Sequence, residues 1–448
     1  MASPLRAHAL EIFQAGVDAV EPANAIRSHL RFEHGTLTVG NEHVPLPPGR
    51  VLVVGMGKAA VPMAAAVEEV LEGRVAGGLV VTKHGHGGSL GRVRVAEAGH
   101  PVPDDAGRDA AREIARIAAE ATASDLVIVV VSGGGSALLP APVHGVTLAD
   151  KGEVTRLLLA SGATINEMNC VRKHLSVMKG GGLVRLAHPA RVLALILSDV
   201  VGDPLDVIAS GPTVADPTTF ADALAILDKF GIRDRVPAGV ARHLARGAAG
   251  ELPDTPKPGA PELALVANAL VGSNAIAVAA AEARARRLGY VTRVLSTSVV
   301  GEAREVARER AALAKAIARG EEAAPRPACV LSGGEPTVTL RGGGKGGRNQ
   351  ELALAAALEL EGVDDVVVLS AGTDGTDGPT DAAGAVVDGG TVARARERGL
   401  DPRRHLDEND SYPLLDATGD LIRTGPTRTN VMDLHVVLVG KGARQATA

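Results

Sequence analysis

The chain has 448 residues, too many for one ordinary core, so two to three domains are expected. Its 46% hydrophobic and 22% charged residues are those of a globular protein, and a formal net charge of −5 argues against a nucleic-acid binder, which is usually basic. With no Trp, two Tyr and four Phe, the core must be aliphatic, and aromatic platforms for stacking single-stranded nucleic acid are excluded.

The N-terminus places Leu5, Ile12, Phe13 and Val20 on a helical pattern, and Glu11 and Asp18 interrupt any signal-peptide core. Residues 31 to 46 read as a small hairpin. From Val51 a rhythm sets in, in which short β-branched runs alternate with Ala-rich helical segments, the pattern of a parallel sheet covered on both faces. Expected strands are 51–54, 78–82, 93–96, 125–131 and 191–197. Expected helices are 58–71, 105–121, 147–161 and 164–177, the last two opening on the capping boxes Thr147/Asp150 and Thr164/Glu167. A Pro- and Gly-rich stretch at 249–261 reads as a linker between an N-terminal Rossmann-like domain, 1–248, and a C-terminal α/β domain, 262–448. Beyond it come strands 263–267 and 290–295, helices 274–288 and 302–319, and strand 328–331. A second β-like run at 337–340, helix 348–360 and strands 366–370 and 435–439 complete the pattern. The fold expected is α/β: two doubly wound, mainly parallel α/β domains facing a deep interdomain cleft.

Polar, Gly-rich segments fall just past the carboxyl ends of these strands, where open α/β sheets bind ligands. They begin at Gly55, Lys83, Ser132, Ser198, Ser332 and Gly372. Between Ala328 and Glu351, a run of five glycines broken only by Lys345 leads to a helix opening on Arg348. Backbone N–H groups freed by glycine and a helix N-terminus together favour a phosphate or a carboxylate. Lys58 and Arg348 add full charges, and Arg348 can offer a planar fork that lysine cannot. Gly55-Met56-Gly57-Lys58-Ala59-Ala60 fits a dinucleotide fingerprint, yet the next strand ends in Thr82-Lys83 where NAD needs an acid, so only NADP survives. No Walker sequence is present. Asp199 and Asp203 flank one strand-end turn, while Asp374 and Asp377 sit on another. Such carboxylates suit Mg²⁺ bridging phosphates or a proton acceptor, and equally suit turn stabilisation. His84 and His86 lack a third metal ligand. Two cysteines, Cys170 and Cys329, make neither a disulfide framework nor a Cys-rich metal site.

VVGMGKAA, TKHGHGG, EAGHPVPD, VSGGGSALLP, NxxRKHLSxxKGG, LSDVVGDPLDVIASGPTV, LSGGEPTVTLRGGGKGGRNQELAL and SAGTDGTDGPTDAAGA, taken in this order, resemble the MOFRL-type glycerate 2-kinases over essentially the whole chain. That resemblance implies two α/β domains and ATP-dependent, Mg²⁺-assisted phosphorylation of D-glycerate to 2-phosphoglycerate. It places the family's essential lysine on Lys58, its essential arginine on Arg348 and its SDVVGD aspartate on Asp199. On this basis Lys58 and Arg348 are assigned to the glycerate carboxylate and the migrating phosphoryl group, and Asp199 to the 2-hydroxyl. Gly55, Gly57, Gly133, Gly134, Gly135, Ser136, Gly333 and Gly334 are assigned to ATP, and Asp374 or Asp377 to Mg²⁺. The rivals are an NADP-dependent hydroxypyruvate reductase, a label members of the family have carried, and a non-catalytic sensor. A cytoplasmic enzyme of small molecules is expected, with no nucleic-acid or membrane partner; its oligomeric state, a homodimer among the options, stays open.

Overall fold

The computed structural model describes residues 4–322 and 325–442. The chain divides into two compact units, one of Pro22–Ser198 and Asp203–Val271, the other of Met1–Glu21, Asp199–Gly202 and Gly272–Ala448. This differs from the contiguous division read from the sequence. The 249–261 stretch lies inside the first unit, and the N-terminal helix belongs to the second.

The first unit opens with a three-stranded antiparallel meander, β1 (Leu30–Glu33), β2 (Thr36–Val39) and β3 (Glu42–Pro45). His34 and Gly35, both with positive φ, form the two-residue turn between the first two strands, whose twist suits a hairpin. The expected hairpin is therefore present, with a third strand added. The main sheet follows: β4 (Val51–Met56), β5 (Val75–Lys83), β6 (Val93–Ala98), β7 (Leu126–Val131), β8 (Arg191–Leu197) and β9 (Val266–Gly272), in the order β6-β5-β4-β7-β8-β9. The pairs β4–β5, β5–β6, β4–β7 and β7–β8 are all parallel. Every residue of β4 and β7 is buried, which is why these two strands read as continuous apolar runs. The chain moves outward from β4 to β6 and then returns to lay β7 on the other side of β4. The strand order reverses at that seam, and the loops after β4 and β7 open beside each other there.

Helices Leu148–Ala160 and Ile165–His174 start where their capping boxes predict, with Thr147 and Thr164 as N-caps bonded reciprocally to Asp150 and Glu167. Residues 261–265 form a 3-10 turn rather than the start of a strand.

The second unit carries a six-stranded sheet, β10 (Val291–Val299), β11 (Ala328–Gly334), β12 (Val366–Gly372), β13 (Gly384–Asp388), β14 (Leu421–Ile422) and β15 (Asp433–Val439), in the order β10-β11-β15-β12-β13-β14. The α/β class holds here, but the expectation of mainly parallel pairing needs correction. Only β10–β11 pairs in parallel, because β15 enters antiparallel between β11 and β12 and β13 returns antiparallel on β12. β10, β11 and β12 still run in one direction, so the strand–helix rhythm was read correctly; the wedge by the closing strand was not visible in it. The β-like run at 337–340 is not a strand: Thr337 makes one isolated bridge to Glu302, and Leu340 is exposed. Helix Pro4–Ala19 buries Leu5, Ile12, Phe13 and Val17 in this unit, and its Gly16 packs on Leu434. The apolar stripe of the N-terminal helix thus finds its cover far down the chain, in helix Asn274–Arg287 and strands β12 and β15. No helix among the described residues is long and apolar enough to cross a membrane.

Candidate functional site

In the first unit the site builds on the β4/β7 seam. Gly57 N–H donates to the Val81 carbonyl at 3.1 Å, Lys58 N–H to the Gly133 carbonyl at 3.0 Å, and Ala59 N–H to Ser132 Oγ at 3.0 Å. The two loops are therefore stitched to each other through backbone. Gly57 has φ +127°, and a Cβ there would lie 2.2 Å from Ser132 Oγ, so this approach admits only glycine. Gly55 is likewise pressed on Val130 within β4. The fingerprint glycines thus have a packing role that accounts for them without a dinucleotide. Helix 60–70 begins two residues beyond Lys58, leaving that side chain half-buried on the loop. His100 stands against Gly134; burial, then the charges of Lys58 and Lys83, holds its imidazole below its ordinary pKa.

Ser136, in the short helical turn Gly135–Leu138 that follows β7, is the centre of a polar cluster. Lys179 Nζ donates to Ser136 Oγ at 2.8 Å and to its carbonyl at 2.9 Å, and Arg172 Nη2 also donates to Oγ. Ser210 Oγ lies 2.9 Å away and donates to Asn169 Oδ1. Arg172 and Lys179 both lie in the motif NxxRKHLSxxKGG, where neither was given a role. Lys173, next to Arg172, instead points to Asp206 and Asp216 as a buried cation in an ion pair.

In the second unit Arg348 is the first residue of helix Arg348–Glu359. Its Nε and Nη2 donate to the two oxygens of the fully buried Asp433, at 2.7 and 3.0 Å, and Nη1 to Glu335 Oε1 at 2.9 Å. Burial opposes the charge, but these carboxylates hold the guanidinium above its ordinary pKa. The fork expected for a ligand is therefore already occupied by Asp433, leaving two of the five N–H donors of Arg348 unspent. Burial, with the charges of Asp433 and Asp199, lifts the Glu335 carboxyl above its usual range despite Arg348. Asp199, half-buried, thus belongs to the same acidic neighbourhood as Glu335. Neither Glu335 nor Asp433 stood out in the sequence. Asp433 in particular is a lone acid opening an apolar strand, and only the pairing of β15 with β11 explains it.

Two expectations fail here. Gly333 and Gly334 are not in a phosphate loop: they end strand β11, buried between β10 and β15. A Cβ on them would meet Asn274 and the Val299 carbonyl, which is reason enough for glycine. Asp377 is not an open metal ligand either. Its oxygens accept the N–H groups of Asn349 and Gln350 at 3.1 and 2.9 Å, so it caps the Arg348 helix. Burial raises its carboxyl to about 6 even so. Asp374 accepts from the Thr376 N–H and hydroxyl through Oδ1 alone, which leaves Oδ2 to a further partner. His84 is bonded to Asp104, and no group of three or more His, Cys, Asp or Glu among the described residues is arranged to hold a metal.

A family described as a domain of unknown function (DUF4147) matches residues 8–245, and the MOFRL family matches residues 328–433. Glycerate 2-kinase of Pyrococcus horikoshii is 42% identical over 441 residues, covering 98% of either chain. A protein of Agrobacterium vitis named as a hydroxypyruvate reductase is 44% identical over 433 residues, 96% of this chain and 93% of that one. The crystal structure of glycerate kinase from Thermotoga maritima superposes with a TM-score of 0.88 at 42% identity, covering 97% of this chain and 99% of that one. With a DUF4147 domain followed by a MOFRL domain and full-length kinship to named enzymes, the chain belongs to the MOFRL-type glycerate 2-kinase family.

Proposed function

We propose that this protein transfers the γ-phosphoryl group of ATP to the 2-hydroxyl of D-glycerate, yielding 2-phosphoglycerate and ADP. Full-length kinship to glycerate 2-kinases carries the reading. The residues suit it, because phosphoryl transfer asks for positioning and charge neutralisation rather than a covalent intermediate. Lys58 and Arg348 supply the neutralising charge toward the glycerate carboxylate and the migrating phosphoryl group. Asp199, in the acidic neighbourhood of Glu335, is assigned to orient or deprotonate the 2-hydroxyl. The loop Gly133–Ser136, at the switch point of its sheet, is assigned to the nucleotide.

Mg²⁺ would neutralise phosphate oxygens when bound. It would find one unspent carboxylate oxygen on Asp374 and none on Asp377, in keeping with a hard cation carried mainly by the nucleotide and water. The enzyme is assigned to the cytoplasm, consistent with two buried free thiols.

An assay with ATP and D-glycerate, the product identified by NMR, tests the reading: 2-phosphoglycerate and ADP are expected in equal amounts. Release of phosphate without a phosphorylated acid would end it. The reductase alternative has less support, since β5 ends in Thr82-Lys83 with Thr82 buried and bonded to the Lys58 carbonyl. Oxidation of NADPH by hydroxypyruvate would revive it.

A further inference from the structure

Three cations meet around Ser136 with no acid to balance them. Arg172 and Lys179 donate to its hydroxyl. Lys151, from the first turn of helix Leu148–Ala160, is close enough to both for mutual repulsion; its Nζ is sealed from solvent and has no hydrogen-bond partner among the described residues. Among those residues no carboxylate pairs with Lys151, Arg172 or Lys179. The contrast within one helix is telling: Lys173, next to Arg172 and buried like Lys179, faces both Asp206 and Asp216. A buried charge is ordinarily paired. A cluster left with three unpaired like charges is organised for an anion that comes from outside the chain.

We infer that Lys151, Arg172 and Lys179, with the Ser136 and Ser210 hydroxyls, seat the phosphate tail of a nucleoside di- or triphosphate. The inference rests on the kinase reading above and deepens it, since none of the three cations had a role there. Charge selects the ligand class. One carboxylate would leave two cations unmatched, whereas a diphosphate tail brings about three negative charges at neutral pH. The backbone supports a ligand site too. Ala209 and Ser210 have φ of +50° and +62°, costly for residues with a side chain, and are held there by Gly180 N–H on the Ser210 carbonyl at 2.9 Å and Gly181 N–H on the Gly211 carbonyl at 2.8 Å. Burial, followed by the neighbouring cations, lowers the Lys179 ammonium well below its ordinary pKa and Lys151 to about 7, as expected where the balancing anion is supplied by a ligand.

Calorimetric titration of the full-length protein and of Lys151→Met, Lys151→Gln and Ser136→Ala, each with ADP, inorganic phosphate and 2-phosphoglycerate in turn, tests this. Melting curves without ligand accompany each titration. Affinity for ADP is expected to fall about tenfold or more in each lysine variant, the loss of one charge-assisted contact. The ligand-free Lys151→Met protein should melt no lower than wild type, because a repelling charge has been removed. ADP binding unchanged in the folded variants overturns the site. A loss confined to 2-phosphoglycerate overturns the nucleotide assignment, as does inorganic phosphate binding as tightly as ADP. A Lys151→Met protein destabilised with its ADP affinity intact means a structural lysine and overturns it as well. If wild type binds ADP as expected, and loses it in the variants, but fails to phosphorylate glycerate, the phosphate seat stands and the glycerate reading falls.

Discussion

Arg348→Lys keeps the positive charge and removes the fork. In the native protein three N–H groups of Arg348 are spent on Asp433 and Glu335, and Asp433 is wholly buried. A lysine ammonium cannot span both Asp433 oxygens and reach Glu335, so two charge-assisted bonds are lost. In a sealed site that loss is about 3–6 kcal/mol. The Arg348 side chain is 34% exposed, so water repays part of it, and about 2 kcal/mol of stability is the expected cost. The effect on turnover should be larger than that on folding. If the two unspent donors meet charge that develops in transfer, their misplacement costs about 3 kcal/mol, a hundredfold or more in kcat/KM. Steady-state kinetics with ATP and D-glycerate, run beside thermal unfolding of the same preparation, separates the two. A variant that melts lower but turns over within about threefold of wild type would show that Arg348 only braces Asp433, and the catalytic assignment would be wrong.

Lys58→Ala removes a half-buried ammonium from the β4 loop without touching the backbone bonds that join it to Gly133, so a loss of about a hundredfold in kcat is expected with an unchanged melting temperature. Gly57→Ala should lower the melting temperature, by about 2 kcal/mol or more in stability, because its Cβ would collide with Ser132 on a backbone that L-residues avoid. Asp377→Asn should cost about 1–2 kcal/mol of stability through the weakened helix cap, read by denaturant melts, while keeping its apparent Mg²⁺ requirement; a raised Mg²⁺ requirement would restore Asp377 as a ligand. Lys151 is lowered to about 7 in the folded protein, by burial first and by Arg172 next, from 10.5 in the unfolded chain. Between those values the unfolded chain binds more protons, so ligand-free stability should rise with pH from about 7 to 10.5, and the slope should shrink in Lys151→Met.

Local chemistry was legible from the sequence wherever neighbours along the chain decide the outcome. The capping boxes at Thr147 and Thr164, the wholly apolar strand β7 and the glycine turns after β4 and β7 all depend on residues within a few positions, and the structure has them as expected. Lys58, expected as the first residue of its helix, sits just past β4 as expected but two residues before the helix begins. What the spacing could not carry were partners from far away. Gly333 and Gly334 look like a loop until β15 arrives from a hundred residues downstream and turns them into strand. Asp377 looks like a ligand until the helix end at Arg348 claims both its oxygens.

By itself, the sequence determined the α/β class, most elements, the strand ends past which the Gly-rich loops fall and the family, because these follow from periodicity and short motifs. Tertiary structure alone decided which charges are spent and which are left over. Arg348 is bound to Asp433, Lys173 is paired with Asp206 and Asp216, and Lys151, which nothing in its helix marks out, is left unpaired beside Arg172 and Lys179. The reason is physical: the value of a charge depends on its burial and on the sign of what surrounds it, and neither is a property of the residues next to it in the chain.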